Sequence, residues 1–286
     1  MSTGAEAVEP LRVYVTIPPQ ACLVERIGGE HVAVETLVRP SRDPHTFEPT
    51  PRQMIALAKA ALYFKVGIPF ESRLLEEIEA QHRQLVVVDT AEGIERRSAG
   101  VYSCNARLSH AHRHNSHGHC VHHAAEPDSH IWLSPPLLKI QVRNIAGALE
   151  RHDPAHAEDY QRNLTGILEE IGTIDRKIAA TMKPYRGHSF YVYHAAFGYF
   201  GDAYGLQQEA VEVGGRLPTL RQLRTLIHKA KAENVKIIFL QPQFDQQSAR
   251  KVASVLGGTV VTIDPLAEDV LGNLERIAME IRRALE

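Results

Sequence analysis

Apolar runs of strand length alternate with helical patterns along this chain, and the alternation occurs in two blocks. Strands that alternate with helices are typical of parallel sheets covered by helices. Each block therefore predicts one α/β lobe with about four strands. The runs that predict strands are 12–17, 32–38, 61–66 and 84–89 in the first block, and 189–194, 207–213, 235–241 and 259–264 in the second.

Helical patterns occupy the segments between these runs. The pattern at 51–60 opens with Pro51 after Thr50, and the pattern at 18–29 ends on two glycines, which are typical helix boundaries. Between the blocks, a helical pattern covers 155–182, which at 1.5 Å per residue is about 40 Å long. The other predicted helices cover 70–81, 134–154, 195–204, 218–232, 245–256 and 267–286.

These elements predict the organisation of the whole chain. We expect an N-terminal α/β lobe at 1–154, a long connecting helix at 155–182 and a C-terminal α/β lobe at 183–286. Each lobe should contain a roughly four-stranded parallel sheet flanked by helices, with the one long helix spanning both lobes.

Composition narrows the possible functions. The chain has 286 residues and a formal net charge of −2, without a basic stripe, which argues against nucleic-acid binding. No run approaches the roughly 18 to 20 apolar residues that cross a bilayer. The first residues lack the pattern of a secretory signal, which predicts a cytoplasmic protein unless the sequence is that of a trimmed, exported chain.

Periodicity disappears between Ala99 and Asp128, and this stretch holds a run of histidines. An insert of this length in a compact domain is usually functional or disordered. The irregular spacing of the imidazoles favours a mobile multi-donor tether over a preformed metal cage. The run holds seven of the sixteen histidines of the chain: His110, His112, His114, His117, His119, His122 and His123.

The three cysteines are too few for a disulfide scaffold. Cys104 and Cys120 bracket most of the histidine run. A disulfide between them and a role as soft ligands of the run both stay open. Cys22 lies in an apolar helical pattern and is interpreted as a buried thiol.

Four residues outside the histidine run are candidate metal ligands. His194 and Asp264 each end a predicted strand. His45 lies in the loop after the second predicted strand, and His130 lies just before a predicted helix start. Ligands of open parallel sheets bind beyond the carboxyl ends of the strands, so two residues from each lobe are expected to meet between the lobes.

Each candidate also has a structural interpretation. A single histidine at a strand end is more often a hydrogen-bonded structural residue than a ligand, and an Asp before Pro commonly forms a turn. As a set, three imidazoles and one carboxylate suit Zn²⁺, with Mn²⁺ as an alternative. Four protein donors leave little room for a reactive water, which favours binding of the ion over hydrolysis.

Four segments, in chain order, resemble the signatures of one family. They are LVRPSRDPHTFEPTPRQMIALAKAALYFKVGIPFE (37–71), DSHIWLSP (128–135), YHAAFGYFGDAYGL (193–206), and QPQF (241–244) followed by TIDPLAED (262–269). Together they resemble the metal-binding solute-binding proteins of ABC transporters, the zinc and manganese group called cluster A-I. The resemblance runs from about Val13 to the C-terminus.

The resemblance implies a site and a function. It implies that His45, His130, His194 and Asp264 are the ligands, and that the metal is zinc, because manganese members usually carry Glu where this chain has His194. It implies a high-affinity receptor that captures Zn²⁺ between two lobes and delivers it to the membrane permease of an ABC transporter. Such a protein is periplasmic or extracytoplasmic, is not an enzyme, and is expected to be a monomer.

The resemblance also bears on the histidine run, because zinc members often carry a His-rich loop at this place. The run is therefore interpreted as an accessory metal site within about 99–128 that gathers or senses zinc. The alternative is a solvated linker that binds metal only incidentally.

Three other functions stay open at this point. One is a receptor for manganese or another divalent metal, and one is a surface adhesin built on the same fold. The third is a zinc hydrolase with three His ligands, which is disfavoured because the chain has no HExxH helix and no obvious general base beside the ligands.

Overall fold

The structure, a computed structural model, describes residues 9–40, 42–81, 84–98, 127–212 and 218–286. The seven histidines of the run, Cys104 and Cys120 lie outside these residues, so the predictions about them stay predictions. Cys22 is a free, half-buried cysteine on the first helix.

Two parallel sheets form the centre of the described part of the chain. The strands are β1 (Leu11–Val15), β2 (Val32–Thr36), β3 (Leu62–Lys65), β4 (Val86–Asp89), β5 (Ser189–Val192), β6 (Gln207–Ala210), β7 (Ile237–Leu240) and β8 (Thr259–Thr262). Their order is β2-β1-β3-β4 in the first sheet and β6-β5-β7-β8 in the second, and all neighbouring pairs are parallel. The strand order reverses between β1 and β3 and between β5 and β7, and such switch points open a crevice for ligands.

Helices flank both sheets, as the alternating pattern predicts. They are α1 (Pro18–Gly28), α2 (Pro51–Leu57), α3 (Phe70–Gln81), α4 (Pro135–His152), α5 (Ala157–Met182), α6 (Gly198–Tyr204), α7 (Leu220–Ala232), α8 (Gln246–Val255) and α9 (Val270–Leu285). Most of these bounds lie within three residues of the predicted ones, because caps and apolar periodicity are local signals. The predicted α/β fold with two four-stranded parallel sheets and a long helix between the lobes is confirmed.

The long helix α5 has one continuous apolar face. Its 26 residues span about 39 Å. Side chains three and four residues apart fall on the same side of a helix, so this spacing creates a stripe that packs inward. The buried residues of the stripe are Tyr160, Leu164, Ile167, Ile171, Ile174, Ile178 and Met182.

One apolar core connects the two sheets. It contains Val13 and Phe64 of the first sheet and Phe190 and Phe239 of the second, together with side chains of α1, α4, α5 and α9. One smaller apolar cluster covers the other face of each sheet. The lobes are therefore joined by packed helices rather than by a free linker, whereas the lobe boundaries at residues 154 and 183 stay a prediction.

Among the helices that the structure describes, none is both long and apolar enough to span a bilayer.

Candidate metal centre

His45 lies in the loop between β2 and α2, in a single 3₁₀ turn formed by Pro44–Thr46. The Asp43 carboxylate accepts a hydrogen bond from the His45 backbone N–H at 2.9 Å, and Pro44 at the first position fixes the backbone angle that the turn needs. The local sequence Asp-Pro-His therefore sets the position of this imidazole. The residue is exposed as a whole, although its ring faces the rings of two other histidines.

His130 precedes the 3₁₀ turn Ile131–Leu133 that leads into α4, and it is buried. The Asp128 carboxylate oxygen Oδ1 lies 3.0 Å from the His130 backbone nitrogen and 2.8 Å from its ring Nδ1. Burial on its own would raise the pKa of Asp128, but hydrogen bonds from His130 and the positive charge of Arg97 outweigh it and hold that pKa below its usual value. The ionised carboxylate keeps the proton on Nδ1, which leaves Nε2 as the donor for a metal.

His194 follows β5 and is held in the same way. Its Nδ1 lies 2.8 Å from Glu212 Oε2, its backbone N–H donates to Gln241 Oε1 at 3.2 Å, and its carbonyl accepts from Gln241 Nε2 at 2.8 Å. The ring also stacks on Phe244, with centroids 4.7 Å apart. Carboxylate and stacking together fix the direction of Nε2.

The two strands that carry C-terminal candidates end earlier than the sequence predicted. β5 ends at Val192 rather than at His194, because the side chain of Gln241 replaces the next backbone partner of the ladder. β8 ends at Thr262 rather than at Asp264, since Pro265 has no N–H and the Asp264 carboxylate folds back onto the Leu266 N–H in a turn. Both candidates thus lie in loops two residues beyond the sheet.

The three imidazoles converge. Ring centroids lie 5.6 Å apart for His45 and His130, 4.9 Å for His45 and His194, and 5.2 Å for His130 and His194. One nitrogen from each ring falls within 4.8 Å of the others. Three nitrogens bound to one tetrahedral Zn²⁺ at about 2.0 to 2.1 Å lie about 3.3 Å apart, and the Nε2 atoms of His130 and His194 are already 3.4 Å apart.

Asp264 lies outside this group of three. Its Oδ1 accepts hydrogen bonds from Gln243 Nε2 and from the Leu266 N–H, both at 2.9 Å. Its neighbours Pro265 and Leu266 line the same cavity as the histidines. A role for Asp264 as a ligand stays a prediction.

The electrostatics of the site favour neutral imidazoles. Burial, followed by the neighbouring rings of His130 and His194, lowers the pKa of His45 to about 3. Burial also lowers the pKa of His194, although the Glu212 carboxylate acts in the opposite direction. An imidazole that stays neutral offers a lone pair, and a neutral imidazole is the form that binds a metal ion.

The cavity that the histidines line is the size of an ion. Its volume is about 20 Å³, which is enough for a single water or metal ion but far below the roughly 300 Å³ of a small-molecule pocket. Besides the histidines, its walls include Ile68, Trp132, Phe244 and Leu266. Apolar walls keep bulk water away from charge–dipole contacts and strengthen them.

Sequence reasoning missed the groups that orient the imidazoles. Asp128 stands two residues before His130, and an acidic residue at that spacing is a signal that a search for ligand partners would have found. Glu212 follows β6, the neighbour of the strand before His194, so only the sheet order brings it near. Gln241 and Gln243 lie in the loop after β7, where they contact His194 and Asp264, respectively.

Two α/β lobes whose loops hold three histidines around an ion-sized cavity are the arrangement of a receptor for a metal ion. The chain belongs to the family of the periplasmic zinc-uptake complex component A, ZnuA, which it matches over residues 13–282. This family is the solute-binding component of zinc ABC transporters and not an enzyme, so those predictions are confirmed and the zinc-hydrolase alternative is wrong.

Proteins of known name and structure support this assignment. The high-affinity zinc uptake system protein ZnuA of Bacillus subtilis is 28% identical over 283 residues, which is 95% of this chain and 81% of that protein. The corresponding protein of Paracoccus denitrificans is 29% identical over 266 residues, with 87% and 81% covered. A crystal structure of ZnuA with 33% identity superimposes with a TM-score of 0.85, covering 97% of this chain and 100% of that one.

Two further structures extend the comparison. A deletion mutant of ZnuA with zinc bound has 33% identity and a TM-score of 0.84, covering 97% of this chain and 98% of that one. The laminin-binding protein of Streptococcus agalactiae has 20% identity and a TM-score of 0.81, covering 97% and 100%, and shares the fold alone.

Proposed function

We propose that this protein captures Zn²⁺ between its two lobes through the Nε2 atoms of His45, His130 and His194. The observation that carries the proposal is the convergence of these three rings, two of which have a buried carboxylate behind them. Carboxylate, imidazole and zinc form a recurrent arrangement in which the carboxylate fixes the tautomer and the ring direction. A surface cluster without a metal has no need of such support.

In this proposal Asp264 completes the coordination. It follows β8 in the second sheet, and the residues after it line the cavity. A fourth protein ligand closes a tetrahedral zinc site and leaves no open position for a reactive water.

Zinc is the cargo that the donor set favours. Three imidazoles with one carboxylate suit Zn²⁺, whereas a second carboxylate in place of His194 would suit Mn²⁺. The family and the zinc-uptake relatives point to the same ion.

The proposed course of transport follows from the family role. The loaded protein, a monomer outside the cytoplasmic membrane, docks on the permease of a zinc ABC transporter, and a separate subunit hydrolyses ATP. The near-neutral net charge of −2 gives no reason to expect binding to nucleic acid.

The first experiment measures zinc stoichiometry and affinity by competition with a chelating dye. The variants are the full chain, a chain without residues 105–126, and the single changes His45→Ala, His130→Ala, His194→Ala and Asp264→Ala. We expect one tight site that survives the deletion and is weakened by each alanine, with weaker sites lost with the histidine run. Loss of all tight binding on deletion would move the principal site to the histidine run and overturn the proposal.

A further inference from the structure

The carboxylate behind His130 is attached to a second contact network that reaches the other lobe. Asp128 Oδ1 takes both hydrogen bonds from His130, and Oδ2 lies 3.8 Å from Nε of Arg97. The backbones of the two residues are also paired, because the Asp128 N–H donates to the Arg97 carbonyl at 2.8 Å and Ser98 forms an antiparallel bridge with Pro127. Arg97 and Asp128 therefore form one unit beside the metal centre.

One hydroxyl of the C-terminal lobe makes hydrogen bonds to both residues of this unit. Tyr199, which is buried on α6, accepts a hydrogen bond from the Arg97 backbone N–H at 3.0 Å and donates one to the Asp128 carbonyl at 3.0 Å. Helix α6 begins four residues after His194. The hydroxyl thus connects the segment that carries His130 to the segment that carries His194.

The Arg97 guanidinium makes a parallel connection. Its Nη1 lies 2.9 Å from Asp202 Oδ2 on α6, in an ion pair without an aligned hydrogen bond, and its Cζ lies 5.7 Å from the centre of the Tyr199 ring. A Cβ atom at Gly198 would clash with Nη1. The first residue of α6 therefore has to be small for the guanidinium to lie against the helix.

We propose that Tyr199 and Arg97 are positioning residues for zinc binding, forming an inter-lobe bridge that holds the Asp128–His130 pair in register with His194. The bridge acts through Asp128 and touches no metal. It couples the spacing of the two buried imidazoles to the arrangement of the lobes, so zinc is held tightly only while the bridge is intact. This inference rests on the proposed zinc site.

The alternative is that these contacts only join the lobes, in the way that many buried hydroxyls do. Tyr204 provides the matched comparison, because it lies on the same helix, is buried to a similar extent, and donates its hydroxyl to Asp175 of α5 at 3.1 Å. Tyr204→Phe removes a comparable buried hydrogen bond without touching Asp128. Tyr199→Phe removes the bridge hydroxyl and keeps the ring.

The test measures the zinc dissociation constant, the zinc release rate and the melting temperature of both variants in the full chain. We expect Tyr199→Phe to weaken zinc binding about tenfold and to speed release, since changes to groups behind metal ligands cost about 10- to 100-fold in affinity. Tyr204→Phe should lower the melting temperature to a similar degree and leave zinc affinity unchanged. Equal zinc affinity in the two variants would overturn the inference.

Two further variants separate the bridge from the site itself. Arg97→Ala should weaken zinc binding, whereas Arg96→Ala should not, because Arg96 donates to the Val66 carbonyl within the N-terminal lobe.

In an Asp128→Asn background, Tyr199→Phe should have little additional effect on zinc affinity, because both changes act on the same imidazole. Full additivity in that cycle would contradict action through Asp128. If His130→Ala left tight binding intact, the proposed zinc site itself would fail, which is a separate outcome.

Discussion

At the scale of single residues, the site consists of imidazoles and the acids behind them. Asp128 and Glu212 each accept from an Nδ1 atom, so the two buried histidines present Nε2 to the same point. His45 differs, since Asp43 accepts from its backbone rather than from its ring. The two buried histidines are therefore fixed in advance, and His45 on its short turn can close the site as the third ligand.

Removal of the charge behind His194 should weaken zinc binding. For Glu212→Gln we expect a loss of about tenfold in affinity, because the amide stabilises the required tautomer less well than the carboxylate. Glu209→Gln is the control, since Glu209 lies on β6, three residues before Glu212, and pairs with Lys229 instead of a histidine. Dye competition measures both, and equal affinities for the two variants would show that the carboxylate behind the ring has no role.

The metal-free protein should lose stability as the pH falls below about 6.5. Burial lowers the pKa of His194 and lowers that of His45 to about 3 in the folded state, against about 6.5 in an unfolded chain. Below pH 6.5 the unfolded state therefore binds protons that the folded state does not, and acid favours unfolding.

Because His45 is exposed as a residue, its own contribution to this pH dependence stays well below the ~1.4 kcal/mol per pH unit of a fully buried group. Urea unfolding at pH 7 and pH 5 measures it, and His194→Asn should give a flatter dependence. A free energy of unfolding that does not change over this range would contradict the expected proton linkage.

At the scale of elements, the loop of His45 is fixed at both ends. The Thr50–Gln53 capping box starts α2, with the Thr50 hydroxyl accepting from the Gln53 N–H at 3.3 Å. Gln53 also donates from Nε2 to the Leu37 carbonyl just beyond β2 at 2.8 Å. One side chain thus closes the loop that carries a ligand as well as starting a helix.

This double role distinguishes Gln53 from its counterpart Gln222, which completes the capping box of α7 with Thr219. Gln53→Ala and Gln222→Ala should each lower the free energy of unfolding by about 1 kcal/mol, because each removes the reciprocal hydrogen bond of a capping box while the capping threonine stays. Gln53→Ala alone should also weaken zinc binding, because the loop of His45 loses its tie to β2. Urea unfolding and dye competition on both variants test this, and unchanged zinc affinity in Gln53→Ala would argue that the turn at Pro44 is sufficient.

At the scale of the whole molecule, two kinds of contact hold the lobes together. The apolar core runs without a break from the first sheet through α5 and α9 to the second. At the cleft, the Trp132 indole N–H donates to the Pro265 carbonyl at 2.7 Å, which ties the His130 segment to the loop of Asp264. Changes in the cleft on zinc release are therefore expected to be small shifts of packed elements rather than free hinge opening.

Zinc should stabilise the whole fold and not one lobe only. A ligand that binds only the folded state adds about 4 kcal/mol at a thousand times its dissociation constant. We expect a rise in melting temperature with zinc, reversed by a chelator, and a single transition seen alike by the fluorescence of Trp132, the one tryptophan, and by far-ultraviolet circular dichroism. Two separate transitions, with only one shifted by zinc, would contradict a shared core.

Local patterns of the sequence predict the elements and the parallel sheets. The cap at Thr50, the proline that follows it and apolar periodicity act over a few residues, so they can be read from the sequence without coordinates. The resemblance of the four segments then identified His45, His130 and His194 as a group, and the structure brings their rings together.

The groups that hold those histidines in place are brought there by tertiary contacts. Glu212 meets His194 because β6 is placed beside β5, and Tyr199 meets Asp128 because α6 packs across the lobe boundary. The same applies to Asp264, whose carboxylate direction depends on Gln243 from the neighbouring loop. Sheet order and lobe packing arise from contacts between residues distant in the chain, and no local pattern encodes which of them become neighbours.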